Sequence, residues 1–289
     1  WWYFDGVFDN GLSVHIGFRI YHIRGIGILQ TRINVYKNGE IIQKKIKREF
    51  LPNIIIDNKK PNIIINDKKI LDFKIHSTAD NETCIYNIND NIEDISVQLS
   101  FSGLTQGWKI ETDTTCWTVP LPSAKVNGII TINGEQIKVS GKGYHDHNWG
   151  YSPTTVLKNI GWFWGRIASD TLNTTWANTI ESKQKQDLIT VVNKDFSYNS
   201  KKTFFANVHP NNIEFKTSDY KQNHHFSIPH QFKLSANQTA KNNDEDIIIK
   251  LSMDTIDIHY DRIFIINYWR YHVEVSGTIT YGDITETIN

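Results

Sequence analysis

The stretch Gly141-Lys142-Gly143-Tyr144-His145-Asp146-His147-Asn148-Trp149-Gly150 gathers a carboxylic acid, two imidazoles, a phenol, an amide and an indole between glycines. On an extended backbone successive side chains point to opposite sides, so Tyr144, Asp146 and Asn148 share one side and His145, His147 and Trp149 the other. The first set could hold a proton, release it and orient a polar group. Shielding by aromatic rings would raise the pKa of Asp146 and keep it protonated, as a general acid requires. The same residues also admit a structural reading, with Asp146 capping a turn and the two histidines tying neighbouring segments together. Zinc held by His145 and His147 would need a third ligand such as His224 or His225, and spacing nominates none. No metal or other cofactor is therefore expected. Nucleophile elbows of the Gly-x-Ser-x-Gly type and phosphate-cradling loops that open a helix are missing from the sequence.

The segments that must position this motif read as strands. Val14, Ile16, Phe18 and Ile20 alternate with His15, Gly17, Arg19 and Tyr21, which predicts one face in a core. Asp94 to Phe101 alternates in the same way. Asn38-Gly39 supplies the positive backbone angles of a two-residue hairpin turn, and Val126 to Gly134 is punctuated likewise. Gln43 to Glu49 is rich in Lys and Arg but lacks interleaved aromatics, the pattern of a solvated strand face.

Composition agrees. Aromatics form 12% of the chain, with nine Trp, and no long run of helix formers occurs, which predicts an all-β protein with more ring surface than strand packing requires. A formal net charge of zero gives no electrostatic grip on nucleic acid. No apolar run approaches the roughly 20 residues of a membrane-spanning helix. Cys84 and Cys116 are too few for a disulfide scaffold. The compartment stays unassigned: a soluble, cytoplasmic protein is one reading, and any N-terminal leader lies outside a chain that opens on Trp1-Trp2.

Two aromatic openings, Trp2-Tyr3-Phe4-Asp5-Gly6 and Gly161-Trp162-Phe163-Trp164-Gly165-Arg166, and two similar closings, Val126 to Gly134 and Val275 to Gly282, predict a duplicated β unit. The boundary is placed after Gly150, giving domains 1–150 and 151–289, as barrels or sandwiches packed side by side. An aromatic-lined pocket is expected near their interface. Trp117, Tyr144, Trp164 and Tyr268 are candidates for its lining, with Arg166 beside them.

These same stretches, the opening Trp-Trp-Tyr-Phe, the central Gly-x-Gly-Tyr-His-Asp-His-Asn-Trp-Gly and the later Trp-Phe-Trp-Gly-Arg, resemble the carotenoid 1,2-hydratase (hydroxyneurosporene synthase) family, whose relatives include fungal decalin-forming Diels-Alderases. The resemblance spans both halves. It implies two tandem lipocalin-like units and a small apolar isoprenoid or polyketide ligand. It also implies proton donation by Asp146, two residues after Tyr144, to a terminal alkene. The hydratases carry a His-x-Trp pair upstream; Trp117 matches its Trp, while Thr115 stands at the His position. Threonine can hydrogen-bond water but cannot take its proton near neutral pH, which leaves His145 or His147 as substitute bases. Hydration, cyclisation and isomerisation stay open on this reading, as do a Diels-Alderase-like pericyclase and a non-catalytic carrier of a hydrophobic ligand.

Overall fold

The computed structural model describes residues 1–23, 26–57, 60–77, 82–111, 116–149, 159–181, 186–195, 205–240, 245–263 and 266–289. These residues are all-β, broken only by two short 3-10 turns. The chain divides into two compact units, Trp1–Tyr151 with Asp195–Asn199, and Ser152–Lys194 with Ser200–Asn289. The segment 150–158, where the sequence places its boundary, lies outside the described residues. Among the described residues no helix is long and apolar enough to cross a membrane.

The first unit contains β1 (Trp2–Phe8), β2 (Leu12–Ile23), β3 (Ile26–Lys37), β4 (Glu40–Phe50), β5 (Ile54–Ile56), β6 (Ile63–Ile65), β7 (Lys68–Ser77), β8 (Glu82–Ile92), β9 (Ile95–Gly103), β10 (Trp108–Glu111), β11 (Cys116–Ile132) and β12 (Glu135–Trp149). They form one antiparallel sheet in the order β4-β3-β2-β1-β12-β11-β9-β8-β7-β6-β5, with β10 on β11. The sheet curls into a nearly closed barrel. Lys45 of β4 reaches Glu93 and Asp94 of the β8–β9 turn, each at 2.7 Å. Two-residue turns join β3 to β4 and β11 to β12, with φ 51° and 92° at Asn38 and Gly39 and 51° and 85° at Asn133 and Gly134. These left-handed angles match the twist of the flanking strands.

Strand alternation builds the core. Val14, Ile16 and Phe18 of β2 face Phe4, Ile33, Val97, Leu99 and Phe101 in one apolar cluster. The other face of β1, β2 and β3 is buried as well, and it is polar: Asp5, His15, Arg32 and Asn34 are each at most 5% exposed. A half-buried strand would leave that face in water, so the sequence gives no sign of this second burial.

Gly143 of β12 is required by close approach. A Cβ there would lie 2.4 Å from Val126 Cγ2 and 2.7 Å from the Asp5 carbonyl oxygen. In β11, the register shifts between Thr118 and Ala124 coincide with Pro120 and Pro122, residues that cannot donate to a regular ladder.

The second unit holds two sheets. The first orders β13 (Asn159–Ala168), β14 (Leu172–Glu181), β15 (Gln186–Lys194) and β16 (Phe205–Val208). The other orders β17 (Ile213–Asn223), β18 (Phe226–Gln238), β19 (Ile247–Ile263), β20 (Ile266–Tyr281) and β21 (Ile284–Ile288). Ile247, Ile249, Leu251 and Met253 face a core with Trp176, Phe232 and Tyr281. Within it Lys194 is fully buried, paired with Glu245 and 4.1 Å from the centroid of the Tyr281 ring. Among the described residues the strands of the first unit pair into one sheet and those of the second into two.

Candidate active site

On β12 the period of two places Tyr144, Asp146 and Asn148 on the polar face, and hydrogen bonds join all three. The Tyr144 hydroxyl donates to Asp146 Oδ2 at 3.0 Å, and the Asn148 amide donates to Asp146 Oδ1 at 3.1 Å. Trp117 lies opposite Asn148 on β11, so its indole reaches diagonally to Asp146 and donates to Oδ2 at 3.2 Å. Oδ2 therefore receives two donors and Oδ1 one. That asymmetry makes Oδ1 the oxygen that can carry a proton.

Asp146 is 4% exposed, and its pKa is pushed up to about 7. Burial is the main cause and the nearby Asp5 carboxylate adds to it, while the hydrogen bonds from Trp117 and Tyr144 pull downward. Carboxylates left without water favour the neutral form, whereas donors favour the charged one. Near neutral pH the two tendencies balance, which is the condition for giving and retaking a proton. Tyr144 is fully buried, and burial followed by the Asp146 charge raises its pKa well above the usual phenol value. It remains a neutral donor.

The neighbouring strand extends the site. β1 sets Tyr3 opposite Asp146 and Asp5 opposite Tyr144. The Tyr3 hydroxyl donates to Asp5 Oδ2 at 2.9 Å. The Tyr3 ring sits edge-on to Tyr144 at 6.2 Å and beside His15 at 4.8 Å. Trp108 packs edge-on to Trp117 at 5.0 Å. The motif alone does not reveal Tyr3, Asp5 or His15 as neighbours of the acid. Their only sequence signal is alternation within β1 and β2.

The histidines occupy the opposite face. His145 stacks on Phe4 at 3.8 Å and meets Tyr86 edge-on at 4.4 Å. Its Nδ1 bonds the Tyr3 carbonyl at 2.9 Å. Burial, partly offset by that bond, lowers its pKa to about 3. His147 stacks on Trp2 at 4.4 Å, its Nδ1 bonds the Trp1 carbonyl at 2.9 Å, and burial lowers its pKa to about 4. Both imidazoles are neutral near pH 7. The structure does not bring His147 together with Asp146, because side chains at 146 and 147 leave opposite faces of the strand.

Thr115 lies outside the described residues. Trp164 and Arg166 stand on β13, opposite Ala177 and Thr175, and Tyr268 on β20, opposite Asp261. All three are half-buried side chains of the second unit. Of the residues nominated from sequence, the structure gathers Tyr144, Asp146 and Trp117 into one cluster. Among the described residues no group of three His, Cys, Asp or Glu side chains could hold a metal ion. Cys84 and Cys116 are free thiols, each with its pKa raised, chiefly by burial. No protein-family model matches the chain, and no curated protein matches it.

Proposed function

We propose that this protein is an enzyme that protonates a carbon–carbon double bond of an apolar isoprenoid or polyene, with Asp146 as the acid. The observation that carries the reading is a buried carboxyl whose Oδ2 accepts from both Tyr144 and Trp117 while Oδ1 accepts from Asn148 alone, so that Oδ1 has room for the proton. The resemblance to carotenoid 1,2-hydratases supplies the substrate class. Transfer of the proton to one alkene carbon leaves a carbocation on the other. Facing aromatic rings each stabilise such a cation by about 0.5 to 2 kcal/mol.

Three hydrogen-bond donors then stabilise the Asp146 carboxylate until it recovers a proton. Recovery from an adding water completes hydration; recovery from an adjacent carbon completes isomerisation. Attack on the cation by a second double bond of the same molecule, followed by proton loss, gives cyclisation. Each route returns Asp146 to its starting state, so none requires a base at position 115 or 147.

The test is turnover of candidate polyenes in deuterated water, with mass spectrometry of the recovered material. Deuterium should enter a carbon–hydrogen position with the wild-type protein, and Asp146→Asn should abolish this. Full incorporation by the variant on a confirmed substrate would exclude Asp146 as the donor.

A further inference from the structure

Three buried polar side chains of the second unit lie on the face that builds its core. Thr174 and Asn178 of β14 and Thr190 of β15 are 0%, 3% and 1% exposed. In register Thr174 lies opposite Val192, Asn178 opposite Leu188 and Thr190 opposite Trp176. Trp176 and Val192 belong to the core cluster, and Leu188 packs against it. Residues opposite one another on paired strands share a face, so all three polar groups project between the two sheets of this unit. Phe163, opposite Asn178 on β13, meets Phe215 of β17 at 5.6 Å and Phe232 of β18 at 5.9 Å across that interior.

Among the described residues, Thr174 Oγ1, Thr190 Oγ1 and Asn178 Oδ1 are closed off from solvent without a hydrogen bond. Buried polar groups are bonded as a rule, and leaving one without a partner costs stability. Valine has the same shape and avoids that cost, so threonine at 174 and 190 works against folding. Local rules of this sort are broken chiefly at functional sites. The Trp176 ring does not cover Thr190. A Cβ on Gly165 would lie 2.2 Å from Trp176 Cζ2, which places the indole over β13, on the side of β14 away from β15. Thr190 is diagonal to Thr174 across the pair of strands, and diagonal neighbours lie about 7 to 8 Å apart. Two hydroxyls turned toward each other over such a gap are bridged by a single oxygen at about 2.8 Å from each.

We propose that the interior of the second unit binds a small apolar ligand carrying a hydroxyl, with its oxygen between Thr174 and Thr190 and its hydrocarbon part against Trp176 and Phe163. A hydroxyl both donates and accepts, so the ligand oxygen accepts from one threonine and donates to the other. A hydrocarbon without oxygen leaves both threonines unbonded, and an ion meets no opposite charge on these three side chains. This goes beyond the reading of Asp146, which belongs to the other unit.

Benzyl alcohol and toluene, the same ring with and without a hydroxyl, test this by isothermal titration of the full chain and of the double variant Thr174→Val with Thr190→Val. The substitutions keep the shape of both side chains. They should weaken benzyl alcohol about tenfold or more while leaving toluene within about twofold, a comparison in which the cost of stripping water from the alcohol cancels. Free of ligand, the variant should melt at a higher temperature than the wild type, because two unbonded hydroxyls are gone. No saturable binding of benzyl alcohol by the wild type, an affinity for it that does not respond to the substitutions, or equal losses for the two probes would overturn the proposal. A variant that melts no higher than the wild type, or fails to fold, would overturn it too, since the hydroxyls would then be satisfied already in the free protein. Neither readout involves turnover, so failure here is distinct from failure of proton transfer, which is read from Asp146→Asn.

Discussion

Replacing Asp146 by Asn tests whether this carboxyl is neutral in the folded protein, independently of any substrate. Its pKa moves from 3.8 to about 7 on folding, chiefly through burial. Below 3.8 the folded and unfolded chains both hold the proton. Between 3.8 and about 7 only the folded chain holds it, so each rise in pH takes stability away, and above about 7 the loss is complete. At about 1.36 kcal/mol per pH unit, the full loss is on the order of 4 kcal/mol. Asn keeps the shape of the neutral acid and does not titrate. Urea unfolding of both proteins, followed by tryptophan fluorescence from about pH 4 to about pH 8, should show the variant gaining on the wild type by roughly that amount. A difference that stays flat across the range would mean that Asp146 ionises as freely when folded as when unfolded. The account of a shielded proton donor would then fail.

Two further outcomes follow from named contacts. Trp117→Phe removes a donor that favours the Asp146 carboxylate; it should move the alkaline limb of the rate profile to higher pH and cost about 1 kcal/mol of stability, and an unmoved limb would count against that hydrogen bond. In the second unit, Lys194→Met alone should cost about 3 to 5 kcal/mol by removing the buried cation paired with Glu245. The double change Lys194→Met with Glu245→Leu should cost much less in urea unfolding, and equal costs would refute a buried pair.

The sequence makes legible whatever depends on neighbours in the chain. Alternation assigns Tyr144, Asp146 and Asn148 to one face and His145 and His147 to the other, as the hydrogen bonds and ring stacks have it. Asn38-Gly39 and Asn133-Gly134 read directly as turns because few residues adopt their backbone angles. Pairing across 140 residues is another matter. Nothing local tells that Tyr3 sits opposite Asp146, since register is set by the whole sheet. His15, Gly17 and Arg19 alternate with apolar neighbours as a solvated face would, so periodicity could not distinguish polar residues in water from polar residues under cover. The pairing order of the described strands in each unit was equally hidden, because similar opening and closing phrases do not specify what the strands between them pair with.

Strand β1 is paired along both edges, by β2 and by β12, and most of its side chains are buried on both faces. An amide proton in such a strand reaches solvent only when the sheet itself comes apart, whereas loop amides exchange through small local openings. The strand that backs Asp146 therefore belongs to the slowest-exchanging part of its unit. The alignment of the acid with Tyr3 endures as long as the folded unit does, and local fluctuation has little means of loosening it.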